Sequence, residues 1–319
     1  MPPTVSINLC CYNSEKFLEA TLQSIFAQTY KDWELVIVND GSQDSTEQIV
    51  QKHIAAGWPI VYYRQANAGL SRSRNQAIEL SRGGFIALID HDDLWEPTKL
   101  EKQMTLFAGQ PQIGLTFTDA LNLYPNGATD LYSARLAPYR GSVLIPLLLG
   151  DFIVCSTVVV RRAALAEVGV FNPNFKQAEE YDLMLRLAER YEFDYVAEPL
   201  ATYRWHDRNS STAVAQMQQE VIQLVKQTLQ RAPQLRQELG PALIRVKMRG
   251  LYCTQGQAYL LQGRWVAALK SQGGWGWLLV ALPKTIVLFL LSFFPPDFVV
   301  TLTHLRRTLQ RWFLLRQAA

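Results

Sequence analysis

Four short apolar runs, residues 5–10, 34–39, 60–64 and 85–90, alternate with stretches whose apolar residues recur at helical spacing. No other feature constrains the fold as much. Each run is rich in Val, Ile, Leu or aromatic residues and is bounded by turn formers, as strands are. The intervening helices are expected over 16–27, 45–56, 71–80 and 99–108. The second is expected to open on a capping box, Asp44-x-x-Glu47, and the fourth on Thr98-x-x-Glu101 after Pro97. Strand and helix in strict alternation predict an α/β fold with a mostly parallel sheet covered by helices on both faces.

Such sheets bind ligands outside the carboxyl ends of their strands, and here those ends are polar: Tyr12-Asn13, Asn39-Asp40-Gly41-Ser42 and Asp90-His91-Asp92-Asp93. Three aspartates with no cysteine cluster nearby suit a hard divalent cation, Mg²⁺ or Mn²⁺, that also holds phosphate oxygens. An acidic turn or a helix cap is the other reading; the position directly after an apolar strand favours the metal. Asp40 could accept a hydrogen bond from a base N–H, with Gly41 letting the backbone turn, while Asp44 reads as a helix cap. Asn67-Ala-Gly69 followed by Ser71 and Arg74-Asn75 joins a flexible glycine to an arginine at a helix start, suited to gripping a diphosphate.

From 114 to about 210 the pattern is less regular, with strands expected at 115–118, 156–160, 193–196 and 202–205 and a helix over 179–190. Glu179, Glu180 and Asp182 stand at the start of that helix, where acids complement the macrodipole, and a carboxylate there could also deprotonate an acceptor hydroxyl. Tyr203-Arg204-Trp205-His206 ends a strand, and His206 is read either as structural or as a partner of metal or phosphate.

Beyond Ser211 helices are expected over 212–231 and 241–262, the latter leading into a helical hairpin that turns at Gly263. Charge changes as well. Residues 1–225 carry 18 basic and 26 acidic side chains, whereas 226–319 carry 13 and 2. The apolar stretch 275–300 is cut by Pro283-Lys284 and Pro295-Pro296-Asp297 into pieces shorter than the roughly 18–20 residues that cross a bilayer. With Arg306, Arg307, Arg311 and Arg316 beside Trp312, Phe313 and Leu314, the region from about 240 is expected to lie on the cytoplasmic face of a membrane without spanning it. A buried helical core or a dimer interface would read the same way. The apolar interleaving argues against nucleic acid as a partner. Four cysteines without a CxxC pair, and no basic leader with a cleavage site, predict a reduced cytoplasmic protein; 49% hydrophobic and 18% charged residues exclude a disordered chain.

These pieces, in this order, resemble the family 2 glycosyltransferases, nucleotide-sugar enzymes of the GT-A fold, from Val5 to about Ser211. The resemblance is carried by Tyr12-Asn13, Val38-Asn-Asp40-Gly-Ser42, Asn67-x-Gly69 with Arg74-Asn75, Asp90-x-Asp92-Asp93-x-Trp95-x-Pro97, and Tyr181-Asp182-Leu183 with Arg186. It implies a catalytic domain over 1–211, with a nucleotide-sugar half to about 110 and an acceptor half over 111–211, and a helical extension over 212–319. It implies that Tyr12 and Asp40 hold uracil or another base, with Asn13 and Asn67 beside them. Arg74 would hold the diphosphate, Asp90 the ribose or sugar, and Asp92 the Mn²⁺ or Mg²⁺, with Asp93 as a second metal-side carboxylate. The family's usual catalytic Asp before Tyr-Asp-Leu is Glu180 here, longer by one methylene, and Asp182 is the alternative base. The implied reaction is inverting transfer of a hexose or related sugar, UDP-linked or on another nucleotide, to a saccharide or lipid-linked acceptor in cell-surface polysaccharide synthesis. A nucleotide-sugar-binding scaffold that lost turnover at Glu180 is the reading of a different class.

Overall fold

The computed structural model describes residues 2–207 and 214–261. Its first half follows the expected alternation: β1 (Val5–Cys11), α1 (Leu18–Phe26), β2 (Trp33–Asn39), α2 (Thr46–Ala55), β3 (Ile60–Arg64), α3 (Leu70–Leu80) and β4 (Phe85–Asp90). These strands lie parallel in the order β3-β2-β1-β4. β1 and β2 are buried along their whole length because helices cover both faces, which is why they read as unbroken apolar runs. Ile7, Leu9, Leu35 and Ile37 pack with Leu18, Leu22 and Ile25 of α1 on one face, and Val36, Val38 and Cys10 pack with Ala77 of α3 on the other. The chain steps outward from β1 to β3 and then places β4 on the far side of β1. The strand order therefore reverses between β1 and β4, the crevice where open α/β sheets bind ligands.

The second half adds β5 (Leu94–Trp95), α4 (Lys99–Phe107), β6 (Ile113–Leu123), β7 (Thr129–Leu131), α5 (Leu144–Leu149), β8 (Val159–Arg161), α6 (Arg162–Val168), α7 (Glu179–Ala188) and β9 (Glu192–Arg204). It extends the same sheet through β8, β6, β9 and β5, now with mixed direction: β8 runs antiparallel to β4 and β6, and β9 runs parallel to β6.

Three local expectations are corrected here. The strand expected over 156–160 begins as a 3-10 turn at Cys155–Thr157, because the Ser156 hydroxyl is drawn to the Asp93 carboxylate and the Thr157 hydroxyl to the Val154 carbonyl. The strands expected at 193–196 and 202–205 are one strand, β9: Pro199 lacks an N–H, yet pairing with β6 passes it through register shifts around Asp119. Neither capping box forms. Asp44 instead accepts from the Thr46 N–H and hydroxyl, and Glu101 accepts from the Thr29 hydroxyl 2.7 Å away while Thr98 makes no side-chain cap.

After the sheet come α8 (Val214–Arg231) and α9 (Leu235–Leu261), the latter broken at Gly240-Pro241, where Gly240 takes φ 69°. The chain divides into two compact units, 1–212 with 224–238 and 213–223 with 239–319, so α8 contributes to both. Among the described residues no helix is long and apolar enough to cross a membrane. The expected turn at Gly263, the apolar stretch 275–300 and the arginine-rich end lie outside the described residues.

Candidate active site

At the carboxyl ends of β1, β2 and β4 a cavity of about 610 Å³ opens, within the size range of ligand sites. Tyr12, Asn13, Asp40, Asn67 and Asp92, all expected at the site, line it, together with Lys16, Phe17, His91 and His206.

On the β2 side, the Asp40 carboxylate accepts from the Ala68 N–H (2.8 Å), the Gly69 N–H (2.9 Å) and the Gln65 amide (2.7 Å). A carboxylate has about four acceptor positions, so one remains on Oδ2 for a donor in the cavity. Close approach of the two loops requires Gly41: it holds φ +80°, and a Cβ there would stand 3.0 Å from the Asn67 nitrogen. Asn13, at φ 51°, is the one non-glycine residue with positive φ among those described. Its Oδ1 accepts from the Gln43 N–H and its own N–H donates to Ser42, so its side chain ties the β1 turn to the β2 turn. Asn39 donates to the Tyr62 hydroxyl and accepts from the Ser42 N–H.

On the β4 side, Asp92 and Asp93 part company. Asp92 Oδ2 lies 2.8 Å from His206 Nε2 at the cavity wall, and the His206 ring stacks on Phe17 with centroids 4.7 Å apart. Asp93 is fully buried and turned inward. Its oxygens accept from the Ser156 hydroxyl (2.5 Å) and the Arg204 N–H (3.1 Å), and burial, with Asp92 and Asp90 adding to it, pushes its carboxyl well above the usual range. The structure thus brings Asp92 to the cavity and uses Asp93 to brace the turn. Ser156 completes the brace by accepting from the Asp90 N–H.

Arg74 is not on the cavity wall as a free cation. Its side chain is 4% exposed and its guanidinium is held by three carboxylates, Asp90 at 2.7 Å, Glu180 at 2.7 Å and Glu179 at 3.1 Å. Burial alone would lower its pKa, but Cys155, Glu180, Asp90 and Glu179 around it hold it well above the ordinary value. Three acids around one cation leave excess negative charge. Burial, reinforced by Glu180, accordingly raises Glu179 to about 8 against the lowering by Arg74. Glu179 Oε2 has no hydrogen-bond partner among the described residues. Glu180 is the more open of the pair, with 26% of its side chain exposed. Asp182 is buried and paired with Arg186 at 2.8 Å, whose guanidinium also donates to the carbonyls of Val168, Gly169 and Val170. Asp90, Cys155 and Glu180 have donor atoms within 4.8 Å of one another, but a cation there would have to displace the Arg74 guanidinium.

Sequence reasoning missed the Ser156 brace, Lys16 and Phe17. A Lys-Phe pair beginning five residues past a strand end is the available signal, since it falls in the first loop of the ligand face.

The family model "Glycosyl transferase family 2" matches residues 6–167. A Bacillus subtilis protein named as a teichuronic acid biosynthesis glycosyltransferase, TuaG, is 31% identical over 204 residues, 63% of this chain and 79% of TuaG. Another curated relative is matched over 23% of its own length. S. aureus TarS 1-349 in complex with UDP-GlcNAc superposes with a TM-score of 0.58 at 16% identity, covering 85% of this chain and 89% of that one. The Pyrobaculum calidifontis mannosyltransferase PcManGT, in complex with GDP-Man and Mn²⁺, gives 0.59 at 17% identity, covering 94% and 84%. At these identities the structures speak for the fold alone, which is that of the GT-A glycosyltransferases. Together with the motifs at the strand ends, the family match decides the assignment: the chain belongs to the family 2 glycosyltransferases.

Proposed function

We propose that the protein transfers a sugar, with inversion, from a nucleoside-diphosphate sugar to a hydroxyl of a saccharide or lipid-linked acceptor. The observation that carries this reading is the adjacency of two acidic sites of different character: a cavity with Asp40 and Asp92 on its wall, and a partly open Glu180 held by Arg74. The similarity to proteins whose structures hold UDP-GlcNAc and GDP-Man supports a nucleotide-sugar donor. Tyr12, Asn13, Asn67 and the remaining acceptor position on Asp40 would hold the base, and Asp90 would meet the ribose or sugar.

A carboxylate and an imidazole nitrogen 2.8 Å apart on a cavity wall fit a divalent cation of the Mn²⁺ or Mg²⁺ kind, so Asp92 and His206 are the residues that would hold one. Such an ion supplies neutralisation of the charge that builds on the departing diphosphate. Glu180 accepts the proton of the acceptor hydroxyl at a carboxylate oxygen. The acceptor oxygen forms its bond to the anomeric carbon as the bond from that carbon to the diphosphate oxygen breaks. One displacement needs one base, and Arg74 fixes Glu180 in place for it. Attachment to the cytoplasmic face of a membrane through the region from about 240 would bring a lipid-linked acceptor to this site.

A panel of UDP-, GDP- and TDP-sugars tests the reading by nucleoside diphosphate release with and without Mn²⁺ and with saccharide or lipid-linked acceptors. Release from one donor class, with an inverted anomeric centre in the product by NMR, is expected. Tight donor binding without release under any condition would instead establish a binding or scaffold protein.

A further inference from the structure

We propose that Lys16, and not Arg74, is the side-chain cation that meets the diphosphate of the bound nucleotide. The inference rests on the nucleotide-sugar reading above and assigns the charge within it.

A cavity that presents Asp40 and Asp92 to a diphosphate needs protein cations to offset the repulsion. Arg74 is already engaged: three carboxylates take its two terminal nitrogens, and the Phe171 ring packs 5.3 Å from its guanidinium carbon. Turning it toward a phosphate would strand the buried Glu179 and the half-buried Asp90 and Glu180, the last of them the proposed base. Arg204 is committed as well, donating to the carbonyl oxygens of Asp92 and Phe17 and to the Thr21 hydroxyl.

Lys16 differs from both. It is exposed, lines the cavity, and forms no ion pair with any described residue. Of the acids that line a second cavity with it, Glu15 accepts from the Ser45 N–H, Asp44 accepts from the Glu15 N–H and from Thr46, and Asp207 forms no ion pair with it. Its ammonium sits 4.9 Å from the centroid of the Phe17 ring, which also has the Arg204 guanidinium carbon 4.9 Å away and stacks on the His206 imidazole, which in turn reaches Asp92. One wall of the cavity is therefore a continuous series of ammonium, phenyl ring, imidazole and carboxylate. The order sets Lys16 and the Asp92–His206 pair along the same surface, one ring pair apart. A diphosphate spanning that distance would meet positive charge at both ends, from Lys16 at one and from a cation on Asp92 and His206 at the other. A lysine suits this task because its ammonium acts as a point charge and tolerates several phosphate orientations.

Calorimetry on the full-length chain in the presence of Mn²⁺, with UDP, GDP and TDP and with the matching nucleosides, tests the assignment. Lys16→Met should weaken the diphosphate that binds wild type by about tenfold and leave the nucleoside unchanged, the scale of one charged hydrogen bond. Arg74→Lys should hold the diphosphate within about threefold of wild type while turnover falls. Melting temperatures check that each variant is folded; Lys16 is exposed, so its variant tests the assignment even if Arg74→Lys does not fold. Unchanged diphosphate affinity in Lys16→Met would overturn the inference, as would an equal loss for the nucleoside, which would make the effect one of shape. A wild-type chain that binds none of the three diphosphates would overturn the nucleotide-sugar reading itself and the inference with it.

Discussion

Two acidic clusters stand side by side at the strand ends and are neutralised in different ways. Asp90, Glu179 and Glu180 enclose Arg74, a cation supplied by the protein itself. Asp92 has the His206 imidazole 2.8 Å from its carboxylate and faces the cavity. The closed cluster carries its own cation, which holds its carboxylates in fixed geometry, as the proposed base requires. The open one has charge left over for an added cation. Both clusters come from the same few residues after β4 and from the elements packed against them. An aspartate at a strand end is therefore no guide to its partner. The partner is set by which loop folds over it: the α3 and α7 helix starts over Asp90, and the end of β9 over Asp92.

The largest effect expected from breaking this contrast is on turnover. Glu180→Gln should lower transfer by about 10²-fold or more, with nucleotide affinity kept, because the proposed base is lost while the Arg74 contact can be retained by the amide oxygen. Asp182→Asn, which alters a helix-bracing pair with Arg186, should change the rate by only a few-fold. A reversal of these two effects, measured as initial rates under saturating donor, would move the base to Asp182.

A smaller effect sharpens the same contrast through pH. Glu179 is raised to about 8 in the folded chain from an ordinary 4.5, by burial first and then by Glu180, with Arg74 opposing. Between those values the folded state holds a proton that the unfolded state has released, so this group makes stability fall as pH rises from about 4.5 to about 8. Glu179→Gln removes that titration. Urea denaturation at several pH values should give a flatter dependence for the variant than for wild type over this window; parallel curves would mean that the closed cluster does not hold the proton.

Much of this architecture was legible in the sequence because both sources of the signal are local. β1 and β2, buried on both faces, must be unbroken apolar runs, and the polar residues that follow them must face the ligand side. What was not legible depends on contacts between distant segments. Asp92 and Asp93 are adjacent and chemically identical, and Ser156 and the Arg204 N–H, 63 and 111 residues further on, hold one of them inward. Arg74 reads as a phosphate ligand until Glu179 and Glu180, more than 100 residues away, are seen to enclose it. β9 reads as two strands because Pro199 interrupts the pattern, although β6 absorbs the interruption with a register shift. Lys16 is signalled only by its place in the first loop of the ligand face; its link through Phe17 to His206 exists only in the fold.

The contrast between the clusters is tested most directly by titrating Mn²⁺ and nucleoside diphosphate together into wild type, Asp92→Asn and Glu180→Gln, with bound Mn²⁺ followed by electron paramagnetic resonance. The account predicts that Asp92→Asn loses Mn²⁺-dependent nucleotide binding by roughly tenfold or more, the scale of disturbing a metal ligand set, and that Glu180→Gln keeps it. Mn²⁺ binding retained in Asp92→Asn and lost in Glu180→Gln would place the ion among Asp90, Cys155 and Glu180 and contradict the division of roles.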